Sequence, residues 1–292
     1  MRYGQFLIYL LFGLSLLGCG ESDPQIDRSN WDDTLYFGVI PIESEQRTIE
    51  RYQRFVDYLS ETLQRKVELV VPKNYAGVID GLADKKIHFA LLGPKSYIEA
   101  SKKANAVATV RVVHPDGQDS YQGMIISKAG SGLKTIADLQ GKTWVFTDLH
   151  STSGYLIPSV YFAAEAQIVP EQYFSQVGFS GSHEKSILMV KNGEVDAAST
   201  NNIDIIRDSG RGWIVDGFNI IWQSQKIPHD MIAYRQDLPD SFKQALTDAA
   251  LNYTDKQGLG DMHILKFIPA KDGDYSFVRQ LVAFKQAMDN KQ

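Results

Sequence analysis

The chain has little of what several protein classes require. Its 292 residues include one cysteine, Cys19, so the chain carries no disulfide framework. The formal net charge is −5 and no basic run follows the first residues, which excludes the basic surface expected of a nucleic-acid binder. The sequence also lacks HExxH and CxxC metal patterns and a GxSxG nucleophile elbow. We therefore predict no metal, no cofactor and no catalytic residue.

The N-terminus has the organisation of an export signal. A positive start precedes an apolar stretch that is too short to span a membrane, and small residues precede Cys19. The ending Leu16-Leu-Gly-Cys19 resembles a bacterial lipobox, which implies that Cys19 is lipidated. We predict a signal peptide over 1–18 and a flexible tether over 19–33, with the fold beginning near Thr34. A plain signal peptide with an incidental cysteine is the alternative, and the choice between inner and outer membrane stays open.

Strands alternate with amphipathic helices along the rest of the chain, which predicts βαβ units in a mostly parallel sheet. The first series has predicted strands at 35–40, 67–71 and 87–92, with a helix capped by Ser44 and another over 75–83. Strands 107–113 and 121–127 then flank a polar turn and could connect two lobes. The second series has strands at 142–146, 177–179, 195–199, 220–224 and 231–234, helices at 155–166, after Ser182 and at 202–208, and two C-terminal helices.

One polar segment stands at the predicted junction of a strand and a helix. Ser151, Thr152, Ser153 and Gly154 follow the predicted strand over 142–146. Free amides at a helix start, together with the positive end of the helix dipole, favour a bound oxyanion, and hydroxyls add further donors. Ser and Thr also cap many helices without binding a ligand. The residues alone leave both readings open.

A series of motifs carries a family resemblance from about Leu35 to Met288. The chain resembles the periplasmic phosphonate/phosphite-binding proteins of ABC importers. The motifs, in order, are Phe37-Gly-Val-Ile-Pro-Ile-Glu43, Asn74-Tyr-Ala-Gly-Val-Ile79, Leu92-Gly-Pro-Lys-Ser-Tyr97, Ser151-Thr-Ser-Gly-Tyr-Leu-Ile-Pro158, Gly181-Ser-His-Glu184, Asn192-Gly-Glu-Val-Asp-Ala-Ala198, Thr200-Asn-Asn202 and Ile227-Pro-His-Asp230.

The resemblance implies an α/β architecture, the type II periplasmic binding protein fold. In that fold two α/β lobes, joined by a two-stranded hinge, enclose a ligand cleft. We expect residues 34–120 plus 228–292 to form lobe 1 and residues 121–227 to form lobe 2.

The resemblance also implies which side chains bind the ligand. Ser151, Thr152 and Ser153 are expected to hold three phosphonate oxygens. Tyr75 and Tyr121 are expected to donate phenolic hydrogen bonds or to line the pocket; core packing is the alternative for either tyrosine.

Three further residues match binding positions of the family. His183 is expected close to the anion, unless it is a capping or surface residue. Asp230 would accept from a protonated ligand oxygen or pair with a ligand amine, and would repel a fully ionised phosphate. Asp204 stands where aminophosphonate binders carry a glutamate, so contact with a ligand ammonium is in doubt. It could instead be a helix N-terminal acid.

The Gly-Pro-Lys-Ser-Tyr motif contributes two more candidates. Ser96 and Tyr97 are expected in the cleft wall, whereas Lys95 is either a phosphate ligand or a solvated loop lysine.

The sequence thus predicts a periplasmic lipoprotein that binds a phosphorus oxyanion and delivers it to an ABC permease in the inner membrane. We expect a monomer with no nucleic-acid partner and no enzymatic activity. The alternative is a ligand-sensing lipoprotein of the same fold that reports to a membrane signalling partner. The ligand stays open among aminoethylphosphonate, alkylphosphonates, phosphite and phosphate.

Overall fold

The computed structural model describes residues 26–209 and 217–290. The predicted signal peptide and Cys19 lie outside these residues. The strands, in chain order, are β1 (Thr34–Val39), β2 (Lys66–Val70), β3 (Phe89–Leu92), β4 (Ala106–Val113), β5 (Ser120–Tyr121), β6 (Gly123–Lys128), β7 (Thr143–Phe146), β8 (Gln176–Phe179), β9 (Ala197–Asn201), β10 (Phe218–Gln223), β11 (Ile227–Pro228), β12 (Met231–Arg235) and β13 (Lys266–Pro269).

Helices separate most of these strands. They are α1 (Glu45–Leu63), α2 (Tyr75–Ala83), α3 (Pro94–Ala104), α4 (Ile157–Ala164), α5 (Pro170–Tyr173), α6 (His183–Asn192), α7 (Asn202–Ser209), α8 (Asp240–Leu251), α9 (Lys256–Asp261) and α10 (Ser276–Asp289). Within the described residues, no helix has the combination of length and apolarity that crossing a membrane requires.

The strands form two large sheets. One has the order β13-β4-β12-β3-β1-β2 and the other the order β10-β6-β9-β7-β8. We call residues 34–113 and 231–289, around the six-stranded sheet, the first lobe, and residues 123–223, around the five-stranded sheet, the second lobe. Strands β5 and β11 pair with each other where the chain leaves the first lobe and where it returns. This pair has the position of a two-stranded hinge.

Both sheets are mixed, so the expectation of a mostly parallel sheet is wrong. Strand β1 is parallel to β2 and β3, but β12 is antiparallel to both β3 and β4. The direction of β12 follows from the chain path, because β12 re-enters the first lobe from the second lobe instead of through a βα crossover. In the second lobe, β6 is likewise antiparallel to β9.

Each sheet has an apolar core on both faces. In β7, Trp144 and Phe146 belong to one cluster and the intervening Val145 to another, as the two-residue period of a strand requires. In the first lobe, α1 and α8 cover one face and α2, α3 and α10 cover the other. The carboxyl ends of β3 and β7 lead directly into α3 and into the Ser151–Ser153 segment, which are therefore close to each other at the junction of the lobes.

Three local expectations differ from the structure. Helix α3 was missed because Gly93-Pro94 looks like a turn, whereas Pro94 occupies the first helical position, where its fixed φ is favourable. Ser44 is the N-cap of α1, but its side chain makes no capping hydrogen bond. The flexible tether does not extend to residue 33, because Trp31 is 7% exposed and its Nε1 donates to Ser241 Oγ at 2.9 Å.

Candidate ligand-binding site

A widened turn between β7 and α4 carries the three predicted anion-binding hydroxyls. Ser151 is the N-cap of a π-helical turn over Thr152–Leu156, and its Oγ accepts a hydrogen bond from the Gly154 amide at 3.0 Å. Single π turns often occur at functional sites. The first amides of a helix lack partners within it and lie at its positive end. Ser151, Thr152 and Ser153 are all buried. The turn therefore places three hydroxyls and nearby amides inside the protein.

Gly154 allows this turn to pack closely against the second sheet. A Cβ at this position would lie 2.2 Å from Thr147 Oγ1 and 2.3 Å from Thr147 Cβ. The Gly154 carbonyl oxygen accepts hydrogen bonds from the Thr147 amide at 2.9 Å and from Ser199 Oγ at 2.6 Å. Glycine at this position thus fixes the hydroxyl-bearing turn against β7 and β9.

Thr152 and Tyr121 connect this turn to the first lobe and to the hinge. Thr152 Oγ1 accepts a hydrogen bond from the Lys95 amide, at the start of α3, at 2.9 Å. The hydroxyl of Tyr121, in β5, is near the side chains of Thr152 and Ser153. Burial, followed by the charge of Asp230, raises the pKa of Tyr121 far above its ordinary value of 10.0. The Tyr121 hydroxyl therefore keeps its proton at neutral pH and can donate it in a hydrogen bond.

His183 lies beside the turn, at the start of α6. Its Nε2 is 3.4 Å from Ser151 Oγ, and its Nδ1 is 3.1 Å from Thr200 Oγ1 and 3.8 Å from Asp204 Oδ2. The residue is 4% exposed. The surface alternative for His183 is therefore wrong, and an imidazole stands next to the three hydroxyls.

Tyr75 is buried at the start of α2. Its hydroxyl has no hydrogen-bond partner among the residues that the structure describes. Burial, and then the charges of Asp204, Asp148 and Asp230, raise its pKa well above the ordinary value of 10.0. Tyr75 thus presents a protonated hydroxyl that a ligand oxygen could accept from.

Two buried or half-buried carboxylates lie within the same site. An ideal Cβ on Gly93 would be 3.7 Å from Asp230 Oδ1 and 3.8 Å from Thr152 Oγ1, so Asp230 lies beside the hydroxyl-bearing turn. Asp204 Oδ2 accepts from Asn201 Nδ2 at 2.6 Å, and the Asp204 amide donates to Asn201 Oδ1 at 2.8 Å. Asn201 therefore caps the start of α7, and Asp204, a first-turn acid of that helix, also lines the site.

These residues enclose a cavity of about 70 Å³ between the lobes. At about 10–15 Å³ for each water-sized group, it holds roughly five to seven such groups. Aspartates 204 and 230 line it, and among the described residues no lysine or arginine does. A bound anion would therefore be held by hydroxyl, amide and imidazole donors. The lining residues are Ile40, Ile42, Tyr52, Tyr75, Leu91, Gly93, Ser96, Val112, His114, Tyr121, Ser151, Thr152, Ser153, His183, Asn201, Ile203, Asp204, His229, Asp230, Met262, His263, Ile264 and Phe267.

The lobes contact each other on both sides of this cavity. On one side, Glu184 of the second lobe accepts from the Ser44 amide at 2.9 Å and forms an ion pair with Arg47. On the other side, Ser96 Oγ donates to the His150 carbonyl at 3.0 Å, and Glu99 pairs with the His150 ring. The structure is therefore a closed arrangement of the two lobes.

Residues 37–275 match the family described as ABC transporter, phosphonate, periplasmic substrate-binding protein. The chain belongs to this family. The match covers both sheets and the hinge pair, and it places the chain among periplasmic substrate-binding proteins of ABC transporters.

Individual members of the family resemble the chain over most of its length. The phosphonates-binding periplasmic protein of Escherichia coli is 30% identical over 87% of this chain and 78% of its own. The phosphate-import protein PhnD of Mycolicibacterium smegmatis is 25% identical over 90% of each chain. The structure of a binding protein component of an ABC phosphonate transporter from Pseudomonas aeruginosa superposes with a TM-score of 0.83 at 29% identity, over 88% of this chain and 87% of that one.

The comparisons confirm the predicted two-lobed α/β architecture of the type II periplasmic binding protein fold. These relatives are transport proteins, which is consistent with the expectation that the chain is not an enzyme. Within the described residues, no cluster of three or more His, Cys, Asp or Glu side chains is arranged to hold a metal ion.

The structure brings together nine of the ten binding residues that the sequence suggested for this family member. The residues that line the cavity are Tyr75, Ser96, Tyr121, Ser151, Thr152, Ser153, His183, Asp204 and Asp230. Tyr97 lies elsewhere, because its ring packs against Tyr275 and its hydroxyl donates to Asp272 at 2.8 Å. Burial, and then this hydrogen bond, raise the pKa of Tyr97 to about 12.

Lys95 has neither of the roles considered for it. It lies in the first turn of α3, is 7% exposed, and its Nζ pairs with Glu99 instead of lining the cavity. Sequence reasoning missed Asn201 and three histidines of the lining, His114, His229 and His263. Asn201 and His229 lie inside the Thr-Asn-Asn and Ile-Pro-His-Asp motifs, so these two residues could have been predicted from the motifs.

Proposed function

We propose that the chain binds a phosphonate or a related phosphorus oxyanion in the interlobe cavity and delivers it to an ABC permease. The observation that carries the proposal is the group of buried donors around the π turn. Ser151, Thr152 and Ser153 supply three hydroxyls for three oxygens of a phosphonate head. His183 Nε2 is 3.4 Å from Ser151 Oγ, and the Tyr121 hydroxyl is near Thr152 and Ser153. Such donors, excluded from water, form the stronger, charge-assisted class of hydrogen bond with an anion.

The two carboxylates support selection by charge within this ligand class. A dianion next to Asp230 would meet a like charge in a cavity without lysine or arginine among its described lining residues. A monoanion, whose remaining oxygen carries a proton, could instead donate to Asp230. We therefore propose an organophosphonate as the ligand in preference to the phosphate dianion. The ligands in the relatives' names, phosphonates and phosphate, belong to those proteins and leave this choice to experiment.

The closed arrangement supports a role in delivery. We propose that residues 34–120 plus 228–292 and residues 121–227 move as two lobes about the β5–β11 pair and close on the ligand. The permease in the inner membrane would recognise the closed form of a monomer. Lipidation at Cys19 would keep the protein on the periplasmic side of a bacterial membrane. The signalling alternative is not favoured, because the family and the relatives named above are transport proteins.

Calorimetric titration of the purified protein in phosphate-free buffer tests the binding proposal. We expect methylphosphonate to bind with a Kd in the micromolar range or below, and the Kd for inorganic phosphate to rise as the pH is raised from 6 to 8, because the dianion that then predominates meets the carboxylates. Absence of binding to methylphosphonate, ethylphosphonate, phosphite and phosphate alike would refute the proposed function. A Kd for phosphate that is unchanged or falls as the pH is raised from 6 to 8 would refute the charge argument alone.

A further inference from the structure

The cavity continues from the anion-binding turn into the first lobe. There the lining combines three apolar side chains with three histidines. We call this part the histidine chamber; it is formed by Leu91, Val112, His114, His229, His263 and Phe267. If the phosphonate group binds the hydroxyls of the π turn, the organic substituent of the ligand lies in the histidine chamber.

His229 is held rigidly at the edge of this chamber. The Asp230 amide donates to His229 Nδ1 at 2.8 Å, so Nδ1 is the acceptor nitrogen and the proton of the neutral ring is on Nε2. The His229 amide donates to the Asp119 carbonyl at 3.0 Å, and the Tyr275 hydroxyl donates to the His229 carbonyl at 3.3 Å. Burial, and then the neighbouring His114, lower the pKa of His229 to about 3, so the ring is uncharged at neutral pH.

The Nε2–H group of His229 is a buried donor in need of an acceptor. His229 is 8% exposed, and its Nε2 has no hydrogen-bond partner among the residues that the structure describes. Nε2 is on the ring edge remote from the main chain, because Nδ1 faces the Asp230 amide. A buried N–H without an acceptor is destabilising, so a ligand atom that accepts from it gains affinity.

His229 lies close to Tyr121, which borders the anion-binding turn. The His229 ring centroid is 5.4 Å from that of Tyr121, whose hydroxyl is near the side chains of Thr152 and Ser153. His229 and the anion-binding turn thus line the same cavity on either side of Tyr121. The cavity volume of about 70 Å³ leaves room for only a few heavy atoms besides the phosphonate head.

Charge limits what that substituent can be. A second anionic group would add to the repulsion from Asp204 and Asp230, which line the same cavity. An ammonium group cannot accept a hydrogen bond, so it would leave the His229 donor unsatisfied. An uncharged oxygen satisfies the donor without either penalty.

Building on the proposed phosphonate binding, we propose that His229 determines specificity by donating its Nε2–H to an uncharged oxygen on the organic substituent of the ligand. The corresponding ligand class is short hydroxyalkylphosphonates. Methylphosphonate lacks this oxygen, and inorganic phosphate lacks the substituent. The histidine chamber would thus discriminate between phosphonates with different organic substituents, which the anion-binding turn alone cannot do.

A matched ligand pair and a matched variant pair test this assignment by calorimetry. 2-Hydroxyethylphosphonate and n-propylphosphonate have the same number of heavy atoms and differ by a hydroxyl in place of a methyl group. His229→Asn keeps an acceptor near the Asp230 amide but removes the remote donor, whereas His229→Gln can return an N–H near the Nε2 position. We expect the wild type to prefer the hydroxyl ligand about tenfold. The preference, measured as the ratio of the two Kd values within each protein, should fall to about twofold or less in His229→Asn and recover in part in His229→Gln.

The outcomes separate this inference from the proposed function. If methylphosphonate binds but the wild type shows no preference within the ligand pair, the assignment of His229 is wrong and phosphonate binding stands. An unchanged preference in a folded His229→Asn protein would also overturn the assignment. If none of the phosphorus oxyanions binds, the proposed function fails and the inference that depends on it fails as well. Circular dichroism and thermal unfolding establish that each variant is folded.

Discussion

Replacement of Thr152 by valine removes one hydroxyl at the centre of the site and preserves the side-chain shape. Thr152 is 3% exposed, and its Oγ1 accepts from the Lys95 amide across the cleft. A hydrogen bond from such a hydroxyl to a charged ligand oxygen contributes about 1.5–3 kcal/mol. With about 1.4 kcal/mol for each factor of ten, Thr152→Val should raise the Kd for methylphosphonate about 10- to 100-fold.

The same substitution should also have a modest effect on stability. Thr152→Val leaves the buried Lys95 amide without its acceptor, which costs about 1–3 kcal/mol. We expect the melting temperature of the ligand-free protein to fall by several degrees while the protein remains folded. Thr152→Ser is the matched control, because it retains the hydroxyl and removes a methyl group. It should bind within about threefold of the wild type.

Titration calorimetry and thermal unfolding of these two variants test whether the Thr152 hydroxyl contacts the bound anion. A Kd for Thr152→Val within threefold of the wild-type value would show that the hydroxyl does not contact the anion. An equal loss of affinity in Thr152→Ser and Thr152→Val would assign the effect to the missing methyl packing. Either result would refute the anion-binding role of this hydroxyl.

Three further predictions concern other parts of the site. Tyr75→Phe removes a buried hydroxyl that has no partner among the described residues, so the melting temperature of the ligand-free protein should stay the same or rise. Methylphosphonate should bind to this variant about tenfold more weakly. A lower melting temperature with unchanged affinity would contradict this prediction. Gly154→Ala should abolish binding, because the new methyl would lie 2.2 Å from Thr147 Oγ1, and near-normal affinity would show that the turn can move aside. Burial alone would raise the pKa of Glu99, but the hydrogen bond with His150 and the neighbouring positive charge lower it below 4.5. The Glu99 contribution to stability is therefore lost as the pH falls through the lower folded-state pKa, so the melting-temperature difference between wild type and Glu99→Gln should shrink in buffers more acidic than pH 4.5.

Local sequence patterns were sufficient to predict an element whose determining interactions lie within the element itself. Apolar residues recur every three or four positions along α1, a pattern typical of a buried stripe; Tyr52, Val56, Leu59 and Leu63 are buried, and Ile49 is half-buried. The Asn192-Gly193 pair is typical of a helix end, and α6 ends there, where Gly193 adopts a left-handed φ of 75°. In both cases the determining interactions lie within one or two helical turns.

Long-range packing explains what local patterns could not reveal. In the sequence, Lys95 looks like a lysine in a loop. In the structure, Pro94 begins a helix there, and the Lys95 ammonium group forms an ion pair with Glu99 one turn later. Tyr97 shares a motif with Ser96, but the helical geometry of α3 directs the two side chains to different surroundings. His229 was overlooked because its role depends on the ring being placed next to Tyr121 by the β5–β11 pairing.

The described lining contains no lysine or arginine, which has a consequence for release. A site built on lysine or arginine would attract the anion even when open to water, because charge attraction acts over several ångströms. Hydrogen bonds from Thr152, Tyr121 and His183 act only at contact and weaken steeply when water replaces the protein partner. Separation of the lobes by a few ångströms would break the Thr152–Lys95 contact and hydrate the donors. Affinity in this design therefore depends on closure, and a permease that opens the lobes would release the ligand without having to overcome a fixed charge.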